Sequence, residues 1–206
     1  MRSSLMDQET TELESPIDVM FLIHKTFRTE ANRQSILVQQ PDMSSILHSF
    51  RPAFTFWITA LGYHAEQEDT YMTPPLGDSQ MIRENQAGHV KLEENADAVL
   101  KCLNEEIGRT SSLIPQTRRH LVGHVMSLYI AQSDHLEEEE EFILPLVRAK
   151  FNETEQLQLI KHLLIDENGD DPRWIIDWMT RALTPGELEL LGHIESRFKE
   201  LPASAT

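Results

Sequence analysis

The feature that most constrains this chain is a motif that occurs twice, at residues 64–74 and at residues 135–145. Both copies read H-x-E-x-E-[DE]-x4-P. In each copy a histidine and a glutamate are four residues apart, so a helix would place both side chains on one face. The second copy continues an apolar stripe that we predict to face the core: Leu128, Ala131, Phe142 and Leu146.

The repetition favours metal binding over the ordinary explanation of an acidic run. Residues 137–141 are five consecutive glutamates, and most charge runs are solvated helix faces, which is our interpretation for most of these five. A carboxylate on a buried stripe costs several kcal/mol unless it is paired or binds a metal. We therefore expect His64 with Glu68, and His135 with Glu139, to be two pairs of buried ligands.

Composition and charge limit the class of protein. The 206-residue chain has 8 Gly and 10 Pro against abundant Leu, Ile, Glu and Gln, which favours helix over sheet. Its formal net charge of −16 repels phosphate backbones, so we expect no nucleic-acid partner. With one cysteine, no leader-like apolar stretch at its start and no run long enough to span a bilayer, we expect a cytoplasmic protein without a membrane partner.

Helix signals along the chain predict an all-α fold with three parts. We expect residues 1–14 to be a flexible N-terminal tail. Residues 15–151 should form an antiparallel up-down-up-down four-helix bundle, because the predicted loops are short enough to make successive helices antiparallel neighbours. Residues 152–200 should form a short C-terminal helical extension packed on that bundle.

Prolines and a glycine set the predicted helix boundaries. Pro41 is expected to break the chain after the first helix, Pro74 to end the second, and Gly108 to stop the third. Pro145 is expected to bend or divide the fourth helix. The four long helices are predicted at about residues 16–39, 44–72, 79–107 and 115–151.

Two more histidines join the two pairs if the helices alternate in direction. His24 lies on the apolar side of the first helix and His89 on that of the third. At a rise of about 1.5 Å per residue, all these side chains lie roughly 6 to 18 Å from the same end of the bundle. We therefore predict one metal centre formed by six side chains: His24, His64, Glu68, His89, His135 and Glu139.

Such a set of ligands suits two metal ions. Four imidazoles and two carboxylates exceed the ligands of one tetrahedral zinc and suit two six-coordinate iron ions, with manganese or mixed occupancy as the alternative. Ferritin-like diiron bundles use Glu-x-x-His pairs, whereas this chain has His-x-x-x-Glu pairs. Two reduced irons can together deliver two electrons to dioxygen. We therefore expect dioxygen, or a related small oxidant such as peroxide or nitric oxide, as the partner.

These residues resemble the hemerythrin-like family, also called HHE cation-binding domains. The matching positions are the six predicted ligands and the proline that follows each pair, and the resemblance covers about residues 15–151. The resemblance implies that Glu68 and Glu139 bridge two irons. It also implies that four histidines are terminal iron ligands: His24, His64, His89 and His135.

One position departs from the family pattern. Oxygen-carrying hemerythrins resemble each other in having a second histidine four residues after the first on the third helix, and here that position is Glu93. Either Glu93 is a seventh, anionic ligand, or that coordination position is left to solvent or substrate. Both alternatives favour oxidation chemistry or a redox-linked structural response over reversible oxygen carriage.

Three functions stay open at this point. The chain could be an oxidase or redox enzyme, an iron- or oxygen-sensing or binding module without catalysis, or a helical bundle that only keeps the ligands. The residue order after the bundle is similar to the tail of hemerythrin-like domains in eukaryotic iron-sensing ubiquitin ligases. This similarity implies that the extension could respond to iron and could contact a protein partner.

Overall fold

The computed structural model describes the backbone of residues 10–40, 43–107 and 113–202, and within these ranges it is helical with no strand. The predicted all-α class is therefore confirmed. Most of the predicted N-terminal tail, and the predicted breaks at Pro41 and Gly108, lie outside the described residues. None of the described helices combines the length and the apolarity needed to cross a membrane.

Helical elements follow one another with short connections. The α-helices, in chain order, are α1 (Val19–Gln39), α2 (Met43–Gln67), α3 (Thr73–Leu76), α4 (Gln80–Lys101), α5 (Pro115–Glu138), α6 (Leu144–Lys150), α7 (Glu153–Leu164), α8 (Trp174–Met179) and α9 (Pro185–Arg197). Three π-helical segments, which have wider turns, lie among them: π1 (Glu68–Met72), π2 (Cys102–Ile107) and π3 (Glu139–Ile143). Short 3-10 turns at Pro16–Asp18 and Phe198–Glu200 complete the description.

The four long helices α1, α2, α4 and α5 contact one another in a ring. Helix α1 packs on α2 and α5, and α4 packs on the same two helices. Apolar side chains from all four fill the interior, among them Phe27, Trp57, Leu92 and Leu128. The alternating up-and-down order of the helices stays a prediction.

Both motif copies contain a π-helical segment, which the sequence analysis did not predict. The residue before Pro74 donates its N–H to the carbonyl of Glu68, and the residue before Pro145 donates to the carbonyl of Glu139. In each case the acceptor is five residues back. Proline has no N–H and crowds the preceding turn, which disrupts the regular α pattern there. The expectation that Pro74 ends the helix was wrong, since helical structure continues through α3.

The extra residue in π3 changes which side chains face the core. Phe142 and Leu146 are predicted to be buried, but they are 42% and 39% exposed, while Ile143 and Val147 are buried instead. One added residue turns the following helix by about 100°. The apolar stripe therefore moves by one position, and its predicted continuation through Phe142 and Leu146 was wrong.

Helices α7, α8 and α9 pack on the bundle. Helix α7 contacts α2, π1 and the turn at Pro16–Asp18, while α8 and α9 contact α1. The buried ring of Trp178 lies 5.2 Å from the ring of Phe27, measured between centroids. The buried carboxylate of Glu187 accepts hydrogen bonds from Lys25 Nζ at 2.7 and 2.8 Å. The division of the chain into tail, bundle and extension stays a prediction.

Candidate metal centre

All six side chains predicted as ligands lie together inside the bundle. Their exposures range from 0 to 7%, so none is a surface residue. Their role as metal ligands stays a prediction, whereas their placement is a property of the fold. Each comes from a different element: His24 (α1), His64 (α2), Glu68 (π1), His89 (α4), His135 (α5) and Glu139 (π3).

The candidate ligand atoms form two groups that share one carboxylate. The first group consists of His24, His64, Glu68 and Glu139, and the second of Glu68, His89 and His135. Within each group, one atom from each residue lies within 4.8 Å of all the others. Glu68 Oε1 lies 2.8 Å from His64 Nε2, and Glu68 Oε2 lies 3.0 Å from His89 Nε2. A carboxylate whose two oxygens face different histidines can bridge two cations.

Several buried polar atoms of the centre make no hydrogen bond of good geometry. They include both oxygens of Glu68 and of Glu139, and the Nε2 atoms of His24, His64 and His89. An unsatisfied buried polar group costs about 1–3 kcal/mol, and an uncompensated buried carboxylate costs more. Cations at the centre would satisfy these atoms, so the donor set fits a metal site.

Two further carboxylates, Asp69 and Glu140, contact histidines of the centre from the outside. Glu140 Oε1 lies 2.8 Å from His24 Nδ1 and accepts a hydrogen bond of 2.7 Å from Arg28 Nη1. Asp69 Oδ2 lies 3.1 Å from His89 Nδ1. Only the contact of His24 has the geometry of a hydrogen bond, since His89 Nδ1 lies at ion-pair distance alone. When Glu140 accepts the Nδ1 hydrogen of His24, the lone pair of a neutral ring is on Nε2, the nitrogen that faces the centre.

Burial and these ion pairs determine the protonation of the metal-free centre. Burial lowers the pKa of His24 and of His89, but their carboxylate partners raise it more, to about 9 and about 10. Burial and the neighbouring His89 lower the pKa of His135 to about 3. Burial raises the pKa of Glu68, yet nearby histidines hold it well below its usual range. Burial and Glu68 raise the pKa of Glu139. Bound cations would therefore displace protons from two histidines.

Gly88 makes room for a histidine of the opposite helix. A Cβ atom at this position would lie 2.5 Å from His135 Nδ1, closer than real Cβ atoms approach other heavy atoms. The rings of His89 and His135 meet edge to face, with centroids 4.7 Å apart. Helices α4 and α5 thus come close at the level of the centre, and only glycine leaves the space for it.

Three residues that shape the centre are absent from the predicted ligand set. Asp69 and Glu140 occupy the [DE] position of both motif copies, so the repetition was a usable signal for them. Gly88 offered no such signal, because a glycine in a helix does not indicate what faces it across the interface.

Glu93 does not join the centre. It is exposed and lies outside both groups of ligand atoms, in the lining of a cavity between α2 and α4. Whether Glu93 binds a metal or leaves that coordination position to solvent or substrate stays a prediction.

Fold and site together define a class: a helical protein with a buried histidine–carboxylate cluster that could hold metal cations. The family model described as hemerythrin HHE cation binding domain matches residues 15–147, and the chain belongs to this family. The resemblance found in the sequence is thereby confirmed. Searches of curated proteins and of solved structures found no match.

Proposed function

We propose that this protein is a non-heme diiron protein that binds or reacts with dioxygen, peroxide or nitric oxide, as an oxidase or redox enzyme. The observation that carries the proposal is the position of Glu68, whose two oxygens face histidines of two ligand groups. Iron suits such a mixture of imidazoles and carboxylates, and manganese or mixed occupancy is the alternative.

The protein's own residues would hold and orient the metal ligands. Glu68 and Glu139 would be the carboxylate ligands, with Glu68 placed between both ligand groups, and the four histidines would be terminal ligands. Iron, when bound, would supply the electrons that are exchanged with the oxidant. Glu140 orients the ring of His24 through a hydrogen bond at Nδ1, and Asp69 lies at ion-pair distance from Nδ1 of His89. The buried ring of Phe27 lies 5.2 Å from that of His64 and keeps water away from this side.

A cavity between α2 and α4 borders the centre at one candidate ligand, which supports a reactive site. His89 lines the cavity that also contains Glu93. His89 Nε2 and both oxygens of Glu68 are buried, so a small oxidant that enters between α2 and α4 would reach the second ligand group only after a shift of side chains. Catalytic metal sites keep a coordination position open for solvent or substrate, and a neighbouring cavity could supply the molecule that fills it.

Metal analysis of the iron-loaded protein tests the proposed centre. We expect about two irons per chain, since one carboxylate serves both ligand groups. The variants His64→Ala and His135→Ala should lose iron. The matched control His193→Ala changes an exposed histidine of α9 and should keep it. Less than about one iron per chain, equal in all variants, would contradict the proposal.

Reaction with dioxygen separates enzyme from carrier. The reduced, iron-loaded protein is mixed with dioxygen in a stopped-flow instrument and followed by absorbance. Rapid oxidation with turnover of a reductant supports the enzyme. A stable adduct that releases dioxygen under vacuum points instead to a binding module.

A sensing module without catalysis is the second candidate, and one contact favours it. Trp178 of α8 packs on Phe27, and Phe27 packs on His64, with centroid distances of 5.2 Å in both pairs. A shift of His64 on metal binding would thus reach the extension through a single ring. Limited proteolysis of residues 152–200 with and without iron tests this candidate, and equal protection would count against it.

A further inference from the structure

A cavity of about 580 Å³ lies between α2 and α4 and reaches the centre at His89. Leu61, Leu92 and Ala96 line it and are only 5, 4 and 8% exposed, so we call them its apolar floor. Sites for small molecules in proteins typically measure about 300–1,000 Å³ and are mostly apolar with a few placed polar groups. The cavity has the size and the apolar surface of such a site.

Charge distinguishes this cavity from an ordinary apolar cleft. Among the described residues, no lysine or arginine lines it, and four carboxylates do: Glu66, Asp69, Glu93 and Asp97. Asp69 contacts His89, whereas the other three carboxylates have no ion pair or hydrogen bond among the residues that the structure describes. Three unpaired carboxylates beside an apolar floor create a negative potential that favours a cation.

We propose that this cavity binds a small organic cation with an apolar body, that is, an alkylamine or arylalkylamine. The ammonium group would lie among the three unpaired carboxylates, and the apolar body would cover the floor. A divalent metal ion would leave that floor uncovered, so the apolar surface argues for an organic ligand. A basic peptide would match the charge but cannot enter the depth at His89, which is 7% exposed.

Binding at this cavity is independent of metal. A role of the amine as substrate of the centre, however, rests on the proposed function. Such a role is supported by the position of His89, which lines the cavity and whose Nε2 faces Glu68. An amine in the cavity would therefore lie beside the second ligand group.

Isothermal titration of the full chain with three probes of equal shape tests the site. The probes are 3-phenylpropylamine, 3-phenylpropanol and 3-phenylpropionate, each titrated into metal-free and iron-loaded protein. We expect the amine to bind at least about tenfold more tightly than the alcohol, and the carboxylate not to bind. Added salt should weaken the binding of the amine. Amine binding to the metal-free protein keeps this test separate from the iron analysis.

Matched variants locate the binding. Glu93→Gln should reduce the affinity for the amine by about twofold to fivefold, which is the contribution expected from one exposed charge. Glu94→Gln changes the exposed neighbour outside the cavity and should change nothing. Gly62 also lines the cavity, and a Cβ there meets no atom within 4 Å. Gly62→Leu should therefore keep the fold, as its thermal melt would show, and reduce amine binding by filling space.

Three results would overturn the proposal. The first is equal affinity for amine and alcohol, and the second is an equal effect of Glu93→Gln and Glu94→Gln. The third is binding of a basic peptide such as oligolysine without binding of the small amine, which would make this face a protein interface.

Discussion

The glycine that precedes His89 offers the sharpest test of the geometry of the centre. Gly88→Ala adds a methyl group that would lie 2.5 Å from His135 Nδ1 and 3.1 Å from His135 Cε1. Because non-bonded heavy atoms rest about 3.5–4.0 Å apart, the imidazole must move by roughly 1 Å. The substitution therefore displaces the candidate ligand His135 while leaving all six candidate ligand side chains chemically unchanged.

Two opposing effects determine the stability of the metal-free Gly88→Ala variant. Alanine in a helix interior is more stable than glycine by roughly 1 kcal/mol, whereas crowding a packed site costs about 1–3 kcal/mol. The net loss in the free energy of unfolding should be about 0–2 kcal/mol. Iron affinity should fall further, by about 10–100-fold, the size typical for changes that disturb the support of a ligand.

Chemical denaturation of metal-free protein and iron competition against a chelator measure these two quantities. Gly123→Ala is the matched control, since Gly123 is exposed in α5 and a Cβ there meets no atom within 4 Å. The control should gain up to about 1 kcal/mol and keep its iron affinity. If Gly88→Ala behaves like the control in both measurements, the described approach of α4 to α5 is refuted.

Three further predictions follow from the ion pairs. Glu140→Gln removes the negative partner of His24 Nδ1 and should weaken iron binding by about tenfold. The control Glu141→Gln changes an exposed neighbour and should leave iron binding unchanged. Equal chelator competition curves for the two variants would contradict a role of Glu140 in supporting His24. Iron loading at pH 7 should release about two protons per chain, because the pKa values of about 9 and about 10 keep His24 and His89 protonated without metal. Calorimetry in buffers of different ionisation enthalpy measures this release, and none would contradict the assignment. Burial raises the pKa of Glu187, but the hydrogen bonds from Lys25 and from backbone N–H groups lower it more, so that the net pKa lies below 4.5. The ionised carboxylate of Glu187 therefore stabilises the fold above pH 4.5, and this stabilisation is lost as pH falls through the lowered pKa. Glu187→Gln should therefore flatten the fall in unfolding free energy below pH 4.5, and an unchanged slope in denaturation measured against pH would refute this.

The grouping of the six candidate ligands could be predicted because it depends only on regular geometry. A spacing of four residues turns His64 and Glu68 toward one face, and Glu68 Oε1 lies 2.8 Å from His64 Nε2. His135 and Glu139, predicted as a second pair, fall in different ligand groups. A constant rise per residue puts the ligands of four helices at one level. Neither step needs knowledge of side-chain packing. The repeated motif supplied four of the six candidate ligands, and the positions of His24 and His89 along their helices supplied the other two.

Other features depend on departures from regular geometry or on the neighbouring helix. The exposure of Phe142 could not follow from a period of 3.6 residues, because the π-helical segment before it changes the phase. Pro145 was a visible signal, but its effect falls on the turn that precedes it. The roles of Gly88 and Glu93 depend on the side chains that face them from the neighbouring helix. The order of residues in the sequence does not show which side chains these are.

The π-helical segments also determine the smallest unit that can be moved to another protein. Copying His135 and Glu139 alone onto a straight designed helix would reproduce the pair but leave every later side chain turned by about 100°. The proline removes the N–H that a straight helix would use, and so it keeps the wide turn in place. A transplant must therefore extend from the histidine through the proline.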